Sequence, residues 1–156
     1  MTKDGKIFIS GGAGFIGSNF VRFLLAGEPE VEIINYDALT YAGNLENLSE
    51  LVKDKRHLFV HGDIRDKAKL DEVFKKNRIM GVINFAAESH VDRSLDSPDD
   101  FLSTNVSGTL NLLQVARKYE CARFLQISTD EVYGSLAEDE SAFTEDSPIK
   151  PNSPYS

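Results

Sequence analysis

Five short apolar runs recur along the chain, separated by segments whose apolar residues return at helical spacing. The runs are Ile7-Phe8-Ile9, Val31-Glu32-Ile33-Ile34-Asn35-Tyr36, His57-Leu58-Phe59-Val60-His61, Gly81-Val82-Ile83-Asn84-Phe85-Ala86-Ala87 and Arg123-Phe124-Leu125-Gln126-Ile127-Ser128. Each has the length of a buried strand. A helix is predicted from Phe15 to Leu25, carrying Phe15, Ile16, Phe20, Phe23, Leu24 and Leu25 toward a sheet, with Gly27 and Pro29 to stop it. Leu45 to Val52 reads as a short helix, and Asp66 as the cap of a helix bearing Leu70, Val73 and Phe74. Ser97-Pro98-Asp99-Asp100 opens the longest helix with a cap, a proline in the first turn and acids against the dipole. Its predicted buried stripe is Leu102, Val106, Leu110 and Leu113, and Arg117-Lys118 complement its end. Alternating strands and helices imply right-handed crossovers and an α/β, doubly wound parallel sheet with helices on both faces, in order 3-2-1-4-5.

The first crossover carries the most specific local pattern. Ser10-Gly11-Gly12-Ala13-Gly14-Phe15-Ile16-Gly17 lies between strand and helix and fits G-x-G-x-x-G through Gly12, Gly14 and Gly17. It equally fits G-x-x-G-x-x-G through Gly11, Gly14 and Gly17. Glycine lets the backbone approach a phosphate, and the free N–H groups of the helix start stabilise an anion there. Ser18 and Asn19 stand where a Walker A loop needs Lys and Ser/Thr, so the turn is not of that kind. Asp37 lies 20 residues after Gly17, at the end of the second run, where an acid that holds an adenosine ribose belongs. Together these predict a Rossmann-like domain over residues 1–156 that binds a dinucleotide. NAD is favoured over NADP, since a 2′-phosphate about 4 Å from Asp37 is repelled by roughly 4 kcal/mol at a dielectric of about 20. No arginine follows Asp37 to reverse that preference.

Bulk properties narrow the alternatives. A net charge of −8 argues against nucleic acid or an anionic membrane as partner, since either needs a basic surface. The single cysteine, Cys121, excludes an internal disulfide and fits a reducing cytoplasm; it is expected to pack as a small apolar residue beside the fifth strand. No apolar run reaches transmembrane length, and Lys3-Asp4-Gly5-Lys6 leads into the first strand without the pattern of a signal peptide. No metal site is indicated.

Ligands of an open parallel sheet bind beyond the carboxyl ends of its strands. There the sequence sets Asp63-Ile64, read as a carboxylate and an apolar residue for an adenine, or simply as a turn after Gly62. Ala86-Ala87 follow the fourth strand and offer small side chains beside which a ribose or nicotinamide fits. Ser128-Thr129-Asp130-Glu131 follow the fifth: two adjacent carboxyl groups can divide into an acid and a base, although a solvated acidic turn is the plainer reading. His57 and His61 are read as strand-edge surface, and residues 135–152 as a surface loop. Ser153-Pro154-Tyr155-Ser156 reads as a helix start.

The glycine turn, Ala86-Ala87-Glu88-Ser89-His90-Val91-Asp92-Arg93-Ser94, Thr104-Asn105 and Ser128-Thr129-Asp130-Glu131-Val132-Tyr133-Gly134 resemble the extended short-chain dehydrogenase/reductases, and within them the dTDP-glucose 4,6-dehydratases. The resemblance implies that Gly11, Gly14, Phe15, Ile16, Gly17, Asp37, Ala38, Leu39, Thr40, Asp63, Ile64, Phe85, Ala86, Ala87, Thr104 and Ser128 line NAD. It implies that Thr129 holds the sugar at its 4-position and that Tyr155 takes the O4 proton. Glu131 would remove the C5 proton, and Asp130 would protonate the departing 6-hydroxyl. Ser89 and His90 would face the sugar or its diphosphate, with an ordinary polar loop residue as the other reading of His90. Tyr133 is expected to be a packed ring. A homodimer is the expected assembly of the full-length protein.

The family also places a lysine four residues after its tyrosine, a position beyond Ser156, and a sugar-nucleotide domain after that. The chain is therefore expected to be the N-terminal, cofactor-binding portion of such an enzyme and inactive alone. An epimerase or decarboxylase of the same superfamily would share this half, but needs no acid–base pair for water loss. A non-catalytic NAD-binding module is the other alternative.

Overall fold

The computed structural model describes residues 5–156; Lys3 and Asp4 of the expected lead into the first strand lie outside them. Five parallel strands form one sheet: β1 (Lys6–Ser10), β2 (Ile33–Asp37), β3 (His57–His61), β4 (Ile79–Asn84) and β5 (Arg123–Gln126). Their order is β3-β2-β1-β4-β5, as the alternation of the sequence predicts. The order reverses at β1, so a crevice opens beyond its carboxyl end between the connections that leave to either side.

Alternation along the strands divides the core in two. Phe8, Ile34, Tyr36 and Val82 face α2 (Lys67–Lys76) and the helix that precedes β5, with Leu70, Phe74, Leu112 and Val115 packed on them. Ile9 and Ile33 face α1 (Phe15–Gly27) and a 3-10 helix (Leu45–Leu51), meeting Val21, Leu25, Leu48 and Leu51. Asn35 and Asp37 share the parity of Ile33, so β2 places two polar residues on its α1 face toward the crevice. Asp66 caps α2 as expected, accepting from the Lys69 amide at 2.9 Å.

Two helix faces differ from the expected ones. On α1 the buried residues are Gly17, Ser18, Val21 and Leu25, while Phe15, Ile16 and Phe23 are exposed. At 100° per residue these three fall outside the arc occupied by the buried four. The second difference is in the longest helix, built of α3 (Val91–Asp96), then α4 (Pro98–Phe101), a π-helical segment (Leu102–Gly108) and α5 (Thr109–Lys118). From Pro98 onward it runs on without a break, since Leu102 and Thr109 are both right-handed helical. Leu102, Val106, Leu110 and Leu113 are 58%, 58%, 51% and 44% exposed, and the buried face is Phe101, Gly108, Leu112, Val115 and Ala116. The helix carries two apolar stripes, and periodicity alone does not say which one meets the sheet. Ser97 also makes no capping bond with its side chain.

β4 begins two residues earlier and ends three earlier than its apolar run suggests, and at its end the Asn84 side chain binds neighbouring segments of the chain. Its Oδ1 accepts from the Ala86 amide at 3.1 Å and from the Ser10 hydroxyl at 2.5 Å. Cys121 packs against the core as expected, and burial pushes its thiol pKa up. Residues 135–152 contain no strand or helix.

Candidate functional site

The glycine turn is shaped from within. Gly11 has φ +73°, and a side chain there would meet the Ala86 backbone nitrogen at 2.6 Å, so neither its conformation nor its space admits another residue. A side chain on Gly17 would collide with the Gly11 carbonyl oxygen, so α1 sits close on the turn. Gly14 differs: its nearest neighbour in that direction is the Gly11 oxygen at 3.4 Å. Gly14 is also the cap of α1 and supplies no side-chain acceptor, so the first amides of a 13-residue helix keep free N–H groups. Phe15 and Ile16 flank them, exposed.

Asp37, 7% exposed, ends β2 beside this turn. Its Oδ2 accepts from the Ala13 amide at 2.9 Å and its Oδ1 from the Leu39 amide at 2.8 Å. A carboxylate has about four acceptor positions, so about two remain. Leu39 is held at φ +51°, a costly conformation for a branched residue, by that bond and by Gly43, where a Cβ would come within 2.9 Å of the Leu39 Cα. Ala38 is half-buried and Thr40 exposed, on the same loop.

After β3, Asp63 is engaged by Arg65, whose guanidinium donates to it at 2.6 Å. Partial burial pushes the carboxyl upward, but the Arg65 side-chain and backbone bonds outweigh it and hold Asp63 below its ordinary value. Ile64 follows at the same strand end, its side chain 3% exposed and packed in the core under Gly108, where a Cβ would come within 2.7 Å of it.

The segment after β4 is strapped in place. Phe85 packs on Phe20 with ring centroids 5.2 Å apart, Ala86 is half-buried and Ala87 exposed. Asn105, in the π-helical segment, accepts from the Glu88 amide and donates to the Glu88 carbonyl, both at 2.8 Å. The Glu88 carboxylate accepts from the Tyr41 hydroxyl at 3.1 Å, and the Arg93 guanidinium lies 4.6 Å from the centre of the Tyr41 ring. Burial, then the Glu88 charge, raises the Tyr41 phenol pKa. Loops after β2 and β4 thus meet across the crevice. Ser89 and His90 are exposed beside this contact, and Thr104 is half-buried next to Asn105.

β5 leads through exposed Ser128 into a short 3-10 helix, Asp130–Tyr133. Thr129 caps it, accepting from the Glu131 amide at 3.3 Å, and donates to Asp130 Oδ1 at 3.4 Å. Asp130 is exposed and Glu131 half-buried, so the adjacent carboxylates sit in different surroundings. Tyr133 packs on Phe143, centroids 5.3 Å apart, as expected. Tyr155 lies edge-on to Phe101 at 6.1 Å. Ser153 and Ser156 accept from each other's backbone amides at 3.1 Å, the reciprocal bonds of a helix capping box, although no helical turn forms among them.

Two buried asparagines that organise these loops, Asn35 and Asn84, are not singled out by the sequence, and Asn105 enters only beside Thr104 in the family resemblance, with no role of its own. The available signal was a polar residue inside an apolar run, as in Ile33-Ile34-Asn35 and Val82-Ile83-Asn84. His57, read as strand-edge surface, is half-buried and lies 3.1 Å from Asn35 Nδ2. Among the described residues no group of His, Cys, Asp and Glu could hold a metal ion, and no helix is long and apolar enough to cross a membrane.

Comparison with known proteins gives a consistent result. A family model described as GDP-mannose 4,6 dehydratase matches residues 8–156. A dTDP-glucose 4,6-dehydratase of Neisseria meningitidis is 49% identical over 160 residues, covering 97% of this chain and 45% of that protein. The solved dTDP-glucose 4,6-dehydratase of Streptomyces venezuelae with NAD and TYD bound is 51% identical with a TM-score of 0.88, covering 96% of this chain and 47% of that one. A UDP-glucose 4-epimerase of Thermus thermophilus complexed with NAD is 35% identical with a TM-score of 0.84, over 96% of this chain and 46% of that one. The chain spans about half the length of the relatives it matches.

Proposed function

The chain belongs to the family described as GDP-mannose 4,6 dehydratase, and from that membership we propose that it supplies the NAD-binding part of a lyase that dehydrates dTDP-glucose to its 4-keto-6-deoxy form. The observation that carries the reading is the adjacent pair Asp130-Glu131, directly after β5 and at the same end of the sheet as the glycine turn. Oxidation at C4 alone needs no such pair, whereas loss of water needs both a proton acceptor and a proton donor. A 4-epimerase would share the turn and have no use for the pair.

The residues present fit the cofactor. Gly14 leaves open the space a side chain would fill, the start of α1 offers unpaired N–H groups to a pyrophosphate, and Asp37 keeps acceptor positions for a ribose. Gly11, Gly17, Phe15, Ile16, Ala38, Leu39, Thr40, Asp63, Ile64, Phe85, Ala86, Ala87, Thr104 and Ser128 are proposed to complete the cofactor site at the same strand ends. Held there, NAD would supply a hydride acceptor for C4 and a hydride donor for C6, so that the sugar would undergo no net redox change.

The chain's own groups move the protons. Tyr155 accepts the O4 proton, and Thr129 orients the sugar at that oxygen. The resulting ketone acidifies C5–H, Glu131 takes that proton, and Asp130 gives one to the 6-hydroxyl as it leaves as water. Ser89 and His90 face the sugar or its diphosphate. A homodimer is the proposed assembly of the full-length protein, supported by the exposed stripe Leu102, Val106, Leu110 and Leu113. The cytoplasm is the proposed compartment, in keeping with a lone thiol.

Incubating the full-length protein with dTDP-glucose and NAD tests the reading. A 4-keto-6-deoxy sugar nucleotide is the expected product. Inversion at C4 without loss of water, or no binding of NAD, would contradict it.

A further inference from the structure

Behind the glycine turn, on the α1 face of β2, Asn35 is fully buried. Its Nδ2 lies 3.1 Å from the Gly12 carbonyl oxygen and 3.1 Å from His57 Nε2, so its two amide hydrogens have two acceptors. Its Oδ1 has no partner among the described residues, and a side chain on Gly12 would collide with it. Asn35 therefore presses on the turn from below and holds its carbonyl. An amide nitrogen has no lone pair to offer, so His57 Nε2 must accept and its ring hydrogen must sit on Nδ1. Burial holds the imidazole pKa below its ordinary value, against smaller upward effects from Leu51 and Asp54. Of the charged groups near the ring, Asp54 and Arg56 come from the loop ahead of β3 and pair with each other at 2.7 Å. From β2 and the 3-10 helix the ring meets Asn35 and Leu51, which do not titrate.

We propose that Asn35 and His57 form a positioning relay for the glycine turn, so that the turn holds a dinucleotide pyrophosphate tightly only while His57 is neutral; this rests on reading the turn as the cofactor site. Protonation places a hydrogen on Nε2 against the hydrogens of the Asn35 amide. The amide then turns over so that Oδ1 accepts from the imidazolium. That brings Oδ1 toward the Gly12 carbonyl oxygen and removes the carbonyl's donor, and the turn is no longer held in one geometry. Binding linkage is reciprocal, so NAD in turn must disfavour protonation of His57.

Imidazole nitrogen NMR of the protein, with and without NAD, reads tautomer and titration together, and calorimetry reads NAD affinity from about pH 7.5 down to about one unit below the His57 pKa that the NMR titration gives. The relay predicts the Nδ1–H tautomer at neutral pH and a His57 pKa that falls by about one unit on NAD binding. It also predicts roughly tenfold weaker NAD binding once His57 is protonated, the same quantity seen from the other side. His57→Gln keeps an acceptor of similar reach and does not titrate. It should hold the neutral-pH affinity within about threefold and abolish the His57-linked pH dependence. An Nε2–H tautomer, a His57 pKa unmoved by bound NAD, or an unchanged pH dependence in His57→Gln each overturns the relay. Failure to bind NAD at neutral pH overturns the reading of the turn itself, and the relay with it.

Discussion

The Asp37 carboxylate accepts from the Ala13 amide at 2.9 Å, tying the end of β2 to the turn after β1. The residue proposed to hold the ribose therefore also braces the pyrophosphate site, and its substitutions separate into two effects. Asp37→Ala leaves the Ala13 and Leu39 amides unpartnered and should destabilise the fold by about 1–3 kcal/mol, read by thermal or denaturant unfolding. Asp37→Asn removes the charge with little change of shape. By calorimetry the unsubstituted chain should bind NAD more tightly than NADP, and Asp37→Asn should narrow the gap. Equal affinities in the unsubstituted chain would contradict the role of the carboxylate.

Gly11 and Gly14 should respond oppositely to the same change. Gly11→Ala forces a Cβ into φ +73° and onto the Ala86 backbone, costing at least about 2 kcal/mol of stability. Gly14→Ala meets no protein atom closer than 3.4 Å, so stability should change by about 1 kcal/mol or less while NAD affinity falls. Paired unfolding and titration curves check both. A Gly14→Ala protein that binds NAD normally would show that no ligand comes close to that face.

How much of this was readable beforehand depends on whether the information is local. The turn and Asp37 are recognisable because strand, glycines, helix start and acid stand at fixed separations along one stretch of chain. The strand order follows from the alternation of elements. The orientation of the longest helix does not, because Leu110 and Leu112 both belong to regular apolar stripes and only the packed sheet distinguishes them. Asn35 and Asn84 stayed unnoticed, and Asn105 was given no role of its own, because what they hold is distant in sequence. Asn105, for example, bonds Glu88 across 17 residues. The position of Ile64 was likewise set by Gly108, a residue its own neighbourhood does not reveal.

Asn105 makes both backbone bonds of Glu88, so Asn105→Ala should loosen the segment after β4 without unfolding the sheet. Two lost bonds correspond to about 1–3 kcal/mol of local opening energy. Hydrogen exchange should accelerate around residues 86–93 while the amides of β1 and β4 keep their protection. Uniform acceleration across the sheet would show that the strap is part of the global core instead.

Val106→Glu together with Leu110→Glu tests the proposed assembly. Both positions are more than half exposed, so the substitutions leave the core intact and place charges within an apolar contact. Sedimentation of the full-length protein should show the dimer replaced by a monomer of unchanged helical content. A dimer that survives both charges lies on another surface.

Glu131 carries the central chemical assignment, and single-turnover absorbance of the reduced nicotinamide tests it most directly. In the full-length protein, Glu131→Gln should leave oxidation at C4 possible, since Tyr155 is the residue proposed to take that proton, and should slow elimination by about 10² to 10⁴, because an amide cannot accept the C5 proton. The account predicts a lasting rise in reduced nicotinamide beside a 4-keto sugar that still bears its 6-hydroxyl, and no such rise in Tyr155→Phe. Near-normal product formation by Glu131→Gln, or no rise despite bound NAD, would contradict it.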